Sequence, residues 1–132
     1  MILIDSCVLI DIFTEDPDWY EWSVESLEEA ADREMLAINP VIYAEVSLRF
    51  ASIDELENAF PHSIIRREAI PYEASFLAGK AYLQYRRRGG TRTSTLPDFF
   101  IGAHAAVTRS KILTRDPRKF RRYFSTVELI CP

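Results

Sequence analysis

The chain opens with MILIDSC, residues 1–7, in which four apolar side chains are followed at once by an acid and a hydroxyl group. A continuous apolar run that stops at such a polar pair is typical of a buried strand with a turn or a helix cap after it. The arrangement returns as KILT at residues 111–114, which is followed after one arginine by Asp116. These two stretches predict two buried strands that each deliver a carboxylate at the end.

Short apolar runs and amphipathic segments alternate along the remaining sequence. Further strands are predicted at residues 35–38, 64–70 and 126–130, and helices at residues 17–33, 41–50, 52–60, 71–88 and 99–110. Strands that alternate with helices require crossover connections and a parallel sheet with helices on both faces. We therefore expect an α/β fold, a Rossmann-like three-layer α/β/α domain with a short, mostly parallel central sheet.

Length and composition predict one domain over residues 1–132, because 132 residues that are 48% hydrophobic can bury a core without metals or disulfides. The two cysteines, Cys7 and Cys131, form no C-x-x-C pair and suggest neither a zinc ribbon nor a disulfide framework. A reducing, cytoplasmic location is the simplest expectation. The apolar N-terminus is interrupted by Asp5 and Asp11, which argues against a signal peptide or a membrane span.

Charge is distributed unevenly along the sequence. Residues 1–75 hold 17 acids against 4 Arg and Lys, whereas residues 76–132 hold 3 acids against 12 Arg and Lys. The basic half could form a face that attracts phosphates, although an ordinary solvated surface explains the same charges. The candidate residues are Arg86, Arg87, Arg88, Arg92, Arg115, Arg118, Lys119, Arg121 and Arg122.

Four acids are candidates for one site. In parallel α/β sheets the ligand crevice lies beyond the carboxyl ends of the strands, where Asp5 and Asp116 are expected to emerge. Glu45 borders the apolar stripe of its predicted helix, and a carboxylate there requires a partner, which Arg49 one turn later could supply. Asp98 begins a helix whose body is almost entirely apolar, so that helix should be central and bring Asp98 inward.

Each acid also has a purely structural explanation. Asp5 could cap the first helix, Asp98 could favour its helix N-terminus, and Asp116 could belong to an ordinary Asp-Pro turn. Four converging carboxylates would repel one another unless a cation held them together. An oxygen-only cluster of this kind suits Mg²⁺ or Mn²⁺, which can activate water for phosphodiester hydrolysis.

Other catalytic chemistries find little support. The only histidines are His62, in a predicted loop, and His104, in an alanine-rich helix where a core histidine is the commoner case. The sequence contains no H-x-x-x-H, G-x-S-x-G, G-x-x-x-x-G-K or G-x-G-x-x-G motif. Cys7 has no neighbouring histidine and is interpreted as a buried structural thiol.

The order of MILIDSCVLI, AEV, LPDFFIGAHA and ILTRDPRKF resembles the PIN-domain ribonucleases, and the compact length resembles the toxin of VapBC-type toxin-antitoxin pairs. The resemblance covers essentially the whole chain. It implies that an acidic pocket binds Mg²⁺ or Mn²⁺ through Asp5, Glu45, Asp98 and Asp116. It also implies supporting roles for Ser6 and Thr114, whereas Cys7 departs from the small polar residue that is common at its position.

The resemblance further implies endonucleolytic RNA cleavage, a homodimer, and inhibition by a cognate antitoxin. The basic residues at 86–92 and 115–122 could hold the RNA backbone beside the acidic pocket. Three alternatives stay open on the residues alone: a non-catalytic module that binds RNA or protein, a metal-dependent phosphoesterase acting on DNA or small phosphoesters, and a chiefly structural partner with Trp19 and Trp22 in its contact surface.

Overall fold

The computed structural model describes residues 1–89 and 94–132. Their five strands form one sheet, in the order β3-β2-β1-β4-β5, and every pair of neighbours is parallel. The strands are β1 (Ile2–Ile4), β2 (Leu36–Ile38), β3 (Ile65–Arg67), β4 (Lys111–Leu113) and β5 (Leu129–Ile130). The predicted α/β class and the parallel sheet are therefore confirmed.

Strand β1 lies at the centre of this sheet. All three of its side chains are at most 1% exposed. Because successive side chains of a strand point to opposite faces, burial of all three requires cover on both sides of the sheet. The helices provide that cover, as expected for a three-layer α/β/α domain.

Seven helices occur in the described residues. They are α1 (Ser6–Phe13), α2 (Tyr20–Arg33), α3 (Pro40–Ser47), α4 (Ile53–Ala59), α5 (Tyr72–Arg87), α6 (Leu96–Thr108) and α7 (Arg118–Arg121). Local chemistry fixes several starts: Asn39 Oδ1 accepts a hydrogen bond of 2.9 Å from the N–H of Ile42, and Pro40 occupies the first turn of α3. No described helix is long and apolar enough to cross a membrane.

Several predicted boundaries were wrong. Helix α2 begins at Tyr20 and not at residue 17, because Asp16 Oδ1 accepts from the N–H groups of Asp18 and Trp19 and holds a turn there. The strands predicted at 64–70 and 126–130 shorten to β3 and β5, which lie at the sheet edges and pair on one side only. The glycines and hydroxyl residues at 86–97 predict a loop between the last two long helices; α5 continues into it as far as Arg87, and residues 90–93 lie outside the described residues.

The strand order creates one switch point. The chain passes from β1 to β2 and β3 on one side, then returns to place β4 on the other side of β1. Ligands of such sheets bind in the crevice at the carboxyl ends of the two strands where the order reverses. Asp5 follows β1 and Thr114 follows β4, so both lie at that crevice.

Candidate active site

Asp5 is the most enclosed of the four predicted acids, with 0% exposure. It occupies the N-cap position of α1, yet its side chain makes no capping hydrogen bond. Its Oδ2 instead accepts from the Thr114 hydroxyl at 2.7 Å and from the Cys7 thiol at 3.3 Å. The capping explanation for Asp5 is therefore wrong, and the carboxylate is held in place by groups from two different elements.

The other oxygen of Asp5 has no partner. Oδ1 is buried and accepts no hydrogen bond. A buried polar atom without a partner costs free energy, and most such atoms in folded proteins are satisfied. An orphaned carboxylate oxygen in a ligand crevice is the kind of atom that a cation coordinates.

Cys7 packs against the edge of the apolar core and lies beside this carboxylate. Burial, together with the Asp5 charge, raises the pKa of the Cys7 thiol to about 12. The thiol therefore stays protonated at neutral pH and serves as a hydrogen-bond donor to Asp5. A neutral thiol of this kind is a poor nucleophile.

Glu45 reaches the crevice from α3. The Ser6 hydroxyl donates a hydrogen bond of 3.0 Å to its Oε1, so the partner is Ser6 and not the predicted Arg49. Burial raises the pKa of Glu45, and the charges of Asp5 and Asp98 raise it further, against the opposing effects of Ser6 and Lys119. This mutual influence shows that the three acids share one electrostatic environment.

Asp98 enters the site from the first turn of α6. Its Oδ2 accepts from the N–H of Thr95 at 2.9 Å and from the Thr95 hydroxyl at 3.2 Å, as in a capping box. Its Oδ1 faces the ammonium of Lys119 at 3.4 Å. The structural explanation of Asp98 as a helix-terminus acid is thus correct for one oxygen, while the other faces the crevice.

Lys119 lies among these acids. Its Nζ is 3.5 Å from Asp5 Oδ2 and 3.4 Å from Asp98 Oδ1, and its side chain is 20% exposed. Burial by itself would lower the pKa of Lys119, but the charges of Asp5 and Asp98 outweigh burial and raise it. The sequence predicted Lys119 on an RNA-binding rim; the structure places it inside the carboxylate pocket.

Asp116 lies at the edge of the crevice. Arg118 contacts both of its carboxylate oxygens, with Nε 3.0 Å from Oδ1, and the backbone N–H of Asp116 donates to the Thr114 hydroxyl at 3.0 Å. Partial burial raises the pKa of Asp116, but the bond and charge of Arg118 outweigh it and lower the pKa below its ordinary value. A cleft of about 290 Å³ opens here, lined by Ser94, Asp116, Arg118 and Lys119.

The carboxylate oxygens of the crevice are ligands of the kind that a hard cation prefers, but they do not surround one common point. In residues 1–89 and 94–132, no group of three or more His, Cys, Asp or Glu side chains is placed so that it could hold a metal ion. The ammonium of Lys119 lies 3.5 Å from Asp5 and 3.4 Å from Asp98. The carboxylate oxygens and the orphaned Asp5 Oδ1 nevertheless form the hard ligand set that Mg²⁺ and Mn²⁺ prefer.

The predicted basic rim is only partly assembled. Arg86, Arg87 and Arg88 are exposed at the end of α5, and Arg118 is 88% exposed. Arg92 lies outside the described residues. Of the remaining candidates, Arg121 and Arg122 are exposed, and Arg115 binds a buried acid.

Arg115 forms an ion pair that the sequence did not predict. Its Nε lies 2.7 Å from Oδ2 of Asp11, which is 1% exposed, and its guanidinium lies over the Trp19 ring. Ser23 also donates to Asp11, at 3.1 Å. The signal was available, because Asp11 interrupts an apolar segment, but a single sequence does not identify its partner 104 residues away.

Comparison with known proteins agrees with this architecture. The family model described as PIN domain matches residues 2–124. No curated protein matches the chain significantly by sequence.

Solved structures of similar fold include a crystal structure of VapBC2 from Rickettsia felis bound to a promoter DNA fragment. It is 16% identical, with a TM-score of 0.74, and the match covers 99% of this chain and 98% of that one. VapBC-1 from nontypeable Haemophilus influenzae is 13% identical with a TM-score of 0.75, over 99% and 98% of the two chains. A toxin-antitoxin complex from Klebsiella pneumoniae is 20% identical with a TM-score of 0.71, over 96% and 95%.

The TM-scores show a shared fold, and the family model spans nearly the whole sequence. The chain belongs to the PIN domain family.

Proposed function

We propose that this chain is a metal-dependent endoribonuclease and the toxin of a type II toxin-antitoxin pair. One observation carries the proposal: Asp5 presents a buried, partnerless oxygen beside Glu45 and Asp98, at the switch point of a PIN-domain sheet. Such a cluster has no stabilising role by itself, because its like charges repel.

The proposed metal ligands are Asp5, Glu45, Asp98 and Asp116. PIN domains generally use divalent metal ions, and the oxygen-only donor set favours Mg²⁺ or Mn²⁺ over softer metals. Such an ion supplies Lewis acidity that activates water and neutralises charge on phosphate.

The other side chains of the crevice position these acids. The Ser6 hydroxyl donates a hydrogen bond to Glu45, and the Thr114 hydroxyl donates one to Asp5. Each bond fixes the orientation of the carboxylate that accepts it. Burial raises the pKa of Glu45, so this carboxyl holds a proton more strongly than an exposed glutamate does.

RNA binding is assigned to the cations that the structure leaves exposed. Arg86, Arg87, Arg88 and Arg118 are proposed to contact the phosphates, since none of them is buried in the fold. Arg115 and Lys119 pair with buried acids and are not used for this role, whereas Arg118 pairs with Asp116 at the surface and is 88% exposed. Neutralisation of phosphates predicts binding that weakens as salt rises.

The partners are also part of the proposal. The solved relatives include toxin-antitoxin complexes, which supports a cognate antitoxin for this chain. We also propose a homodimer, which the family resemblance implies, and a cytoplasmic location, because the two free cysteines agree with a reducing compartment.

One observation favours a second candidate, the non-catalytic binding module. Lys119 already neutralises the acids without any metal. In that case the acids would serve folding specificity and the exposed arginines would hold RNA or protein without cleavage.

A cleavage assay tests the proposal. Purified protein is mixed with a pool of structured RNAs and with matched DNA, in Mg²⁺, in Mn²⁺ and in EDTA. We expect RNA cuts that need metal, that vanish in Asp98→Asn, and that persist in Asp32→Asn, an exposed acid on α2. Uncut RNA with folded, antitoxin-free protein would instead support the binding module, and cuts in DNA alone would support the phosphoesterase.

A further inference from the structure

Lys119 combines two properties that surface lysines do not share. Its ammonium contacts two acids from separate elements, Asp5 after β1 and Asp98 on α6, and four-fifths of its side chain is buried. Phe120, which follows it on α7, is fully buried and fixes this short helix against the core. The fold therefore places the backbone of Lys119 beside the two acids.

Lys119 is the cation that pairs with the buried acids of this pocket, whereas the pair of Arg118 with Asp116 lies at its surface edge. In the part of the chain that the structure describes, Asp5 and Asp98 form their only ion pairs with Lys119, and Glu45 forms none. A flexible four-carbon stem carrying a compact charge can enter or leave such a pocket without moving the backbone. The ammonium thus serves as a built-in monovalent counter-ion.

We propose that Lys119 is the counter-ion that a divalent metal displaces: its ammonium neutralises Asp5 and Asp98 while the pocket holds no metal, and withdraws when the metal binds. The inference rests on the metal site of the proposed function. It goes beyond that site because metal affinity then depends on competition between the metal and the Lys119 ammonium for the same two carboxylates.

The geometry supports displacement over simultaneous binding. Lys119 contacts Oδ2 of Asp5, whereas Oδ1 remains without a partner. An incoming ion can therefore engage Oδ1 first. Two cations that share the same two carboxylates repel each other at short range, so binding of the ion drives the ammonium away.

The first test is a Mn²⁺ titration of the full chain, with free Mn²⁺ measured by electron paramagnetic resonance. Lys119→Met keeps the length of the side chain and removes its charge, and we expect it to tighten Mn²⁺ binding by about tenfold. Lys80→Met is the matched control, because Lys80 is exposed on α5, and it should bind as the wild type does. Equal affinity in folded Lys119→Met and wild type would overturn the inference.

The second test uses the wild-type protein alone and so does not depend on the folding of any variant. The chain has three lysines, so ammonium ¹H–¹⁵N spectra are simple to resolve. We expect the Lys119 signal to be sharp and protected without metal, and to shift or vanish through fast exchange when Mg²⁺ is added. Signals of Lys80 and Lys111 should not change. A Lys119 signal that stays constant as Mg²⁺ saturates the protein contradicts displacement.

The variant Asp5→Asn distinguishes a failure of the Lys119 inference from a failure of the proposed metal site. If Mn²⁺ binds the wild type, fails to bind Asp5→Asn, and binds Lys119→Met no more tightly, only the lysine inference fails. If Mn²⁺ does not bind the wild type or Lys119→Met, the metal site fails and the inference fails with it.

Discussion

The hydroxyl of Thr114 donates a hydrogen bond of 2.7 Å to Oδ2 of Asp5, a residue 109 positions earlier. The same hydroxyl oxygen accepts from the backbone N–H of Asp116 at 3.0 Å. One side chain thus joins the ends of β1 and β4 and sets the turn that leads into α7.

Thr114→Val tests this connection. Valine preserves the shape but leaves Asp5 without its shortest donor and the N–H of Asp116 without its acceptor. We expect the free energy of unfolding to fall by about 1–3 kcal/mol. Thr126→Val, at an exposed position, should change it by less than about 0.5 kcal/mol. Urea denaturation measures both, and equal losses would show that the buried hydroxyl has no special role.

Removing one partner of the Asp11–Arg115 ion pair should cost more free energy of unfolding than removing the other. Asp11 is 1% exposed, whereas the Arg115 side chain is 32% exposed. Arg115→Met leaves a buried carboxylate uncompensated and should cost about 3 kcal/mol, whereas Asp11→Asn leaves a cation that can reach water and should cost less.

Arg118→Met is the control for that pair, since its partner Asp116 is also near the surface and exposed pairs contribute at most about 1 kcal/mol. Thermal or urea unfolding ranks the three variants. A larger loss in Asp11→Asn than in Arg115→Met would contradict the burial argument.

Gly102 and Gly79 form a matched pair of helical glycines. A Cβ at Gly102 would lie 2.2 Å from a ring atom of Phe124, whereas a Cβ at Gly79 meets nothing within 4 Å. Gly102→Ala should destabilise the fold by about 1–3 kcal/mol through overpacking. Gly79→Ala should stabilise it by up to about 1 kcal/mol, because alanine favours helix. Denaturant midpoints test both, and a neutral Gly102→Ala would mean that Phe124 moves freely.

His104 predicts a pH dependence of stability. Burial lowers its pKa, more than the Glu68 charge raises it, and Asn39 lies 3.1 Å from its Nδ1. The unfolded chain therefore binds this proton more tightly than the folded protein. The contribution of His104 to the free energy of unfolding should be fully present above the unfolded pKa of about 6.5. It should be lost as the pH drops below that value.

The two histidines supply the comparison. His104→Gln should lose stability at every pH but show a flatter dependence between about pH 7.5 and about pH 5.5. His62→Gln should keep the wild-type slope, since the side chain of His62 is 71% exposed. Urea unfolding at several pH values gives the slopes, and an unchanged slope in His104→Gln would assign the dependence to other groups.

The sheet and the location of the acids could be predicted because they depend on local patterns. Runs such as ILI at residues 2–4 have no polar interruption, as a doubly covered strand requires. Edge strands carry a weaker pattern, so β3 and β5 were predicted too long. Helix α1 was predicted only as a turn or cap, because its continuous apolar residues lack helical periodicity.

The partners within the site could not be predicted, because they depend on side-chain directions set by tertiary packing. Lys119 belongs to a basic run, and only the burial of Phe120 on the same short helix decides which cation turns inward. Arg115 is adjacent to Asp116 in sequence but pairs with Asp11, across the ends of two elements. The spacing of residues along the sequence does not indicate which acid either side chain contacts.

The position of β1 at the centre of the sheet has a consequence for synthesis. This strand leaves the ribosome before β4, which is one of its two neighbours in the sheet. Asp5 therefore emerges long before Thr114 and Lys119 exist to contact it. The pocket can be completed only after β4 and α7 have been synthesised.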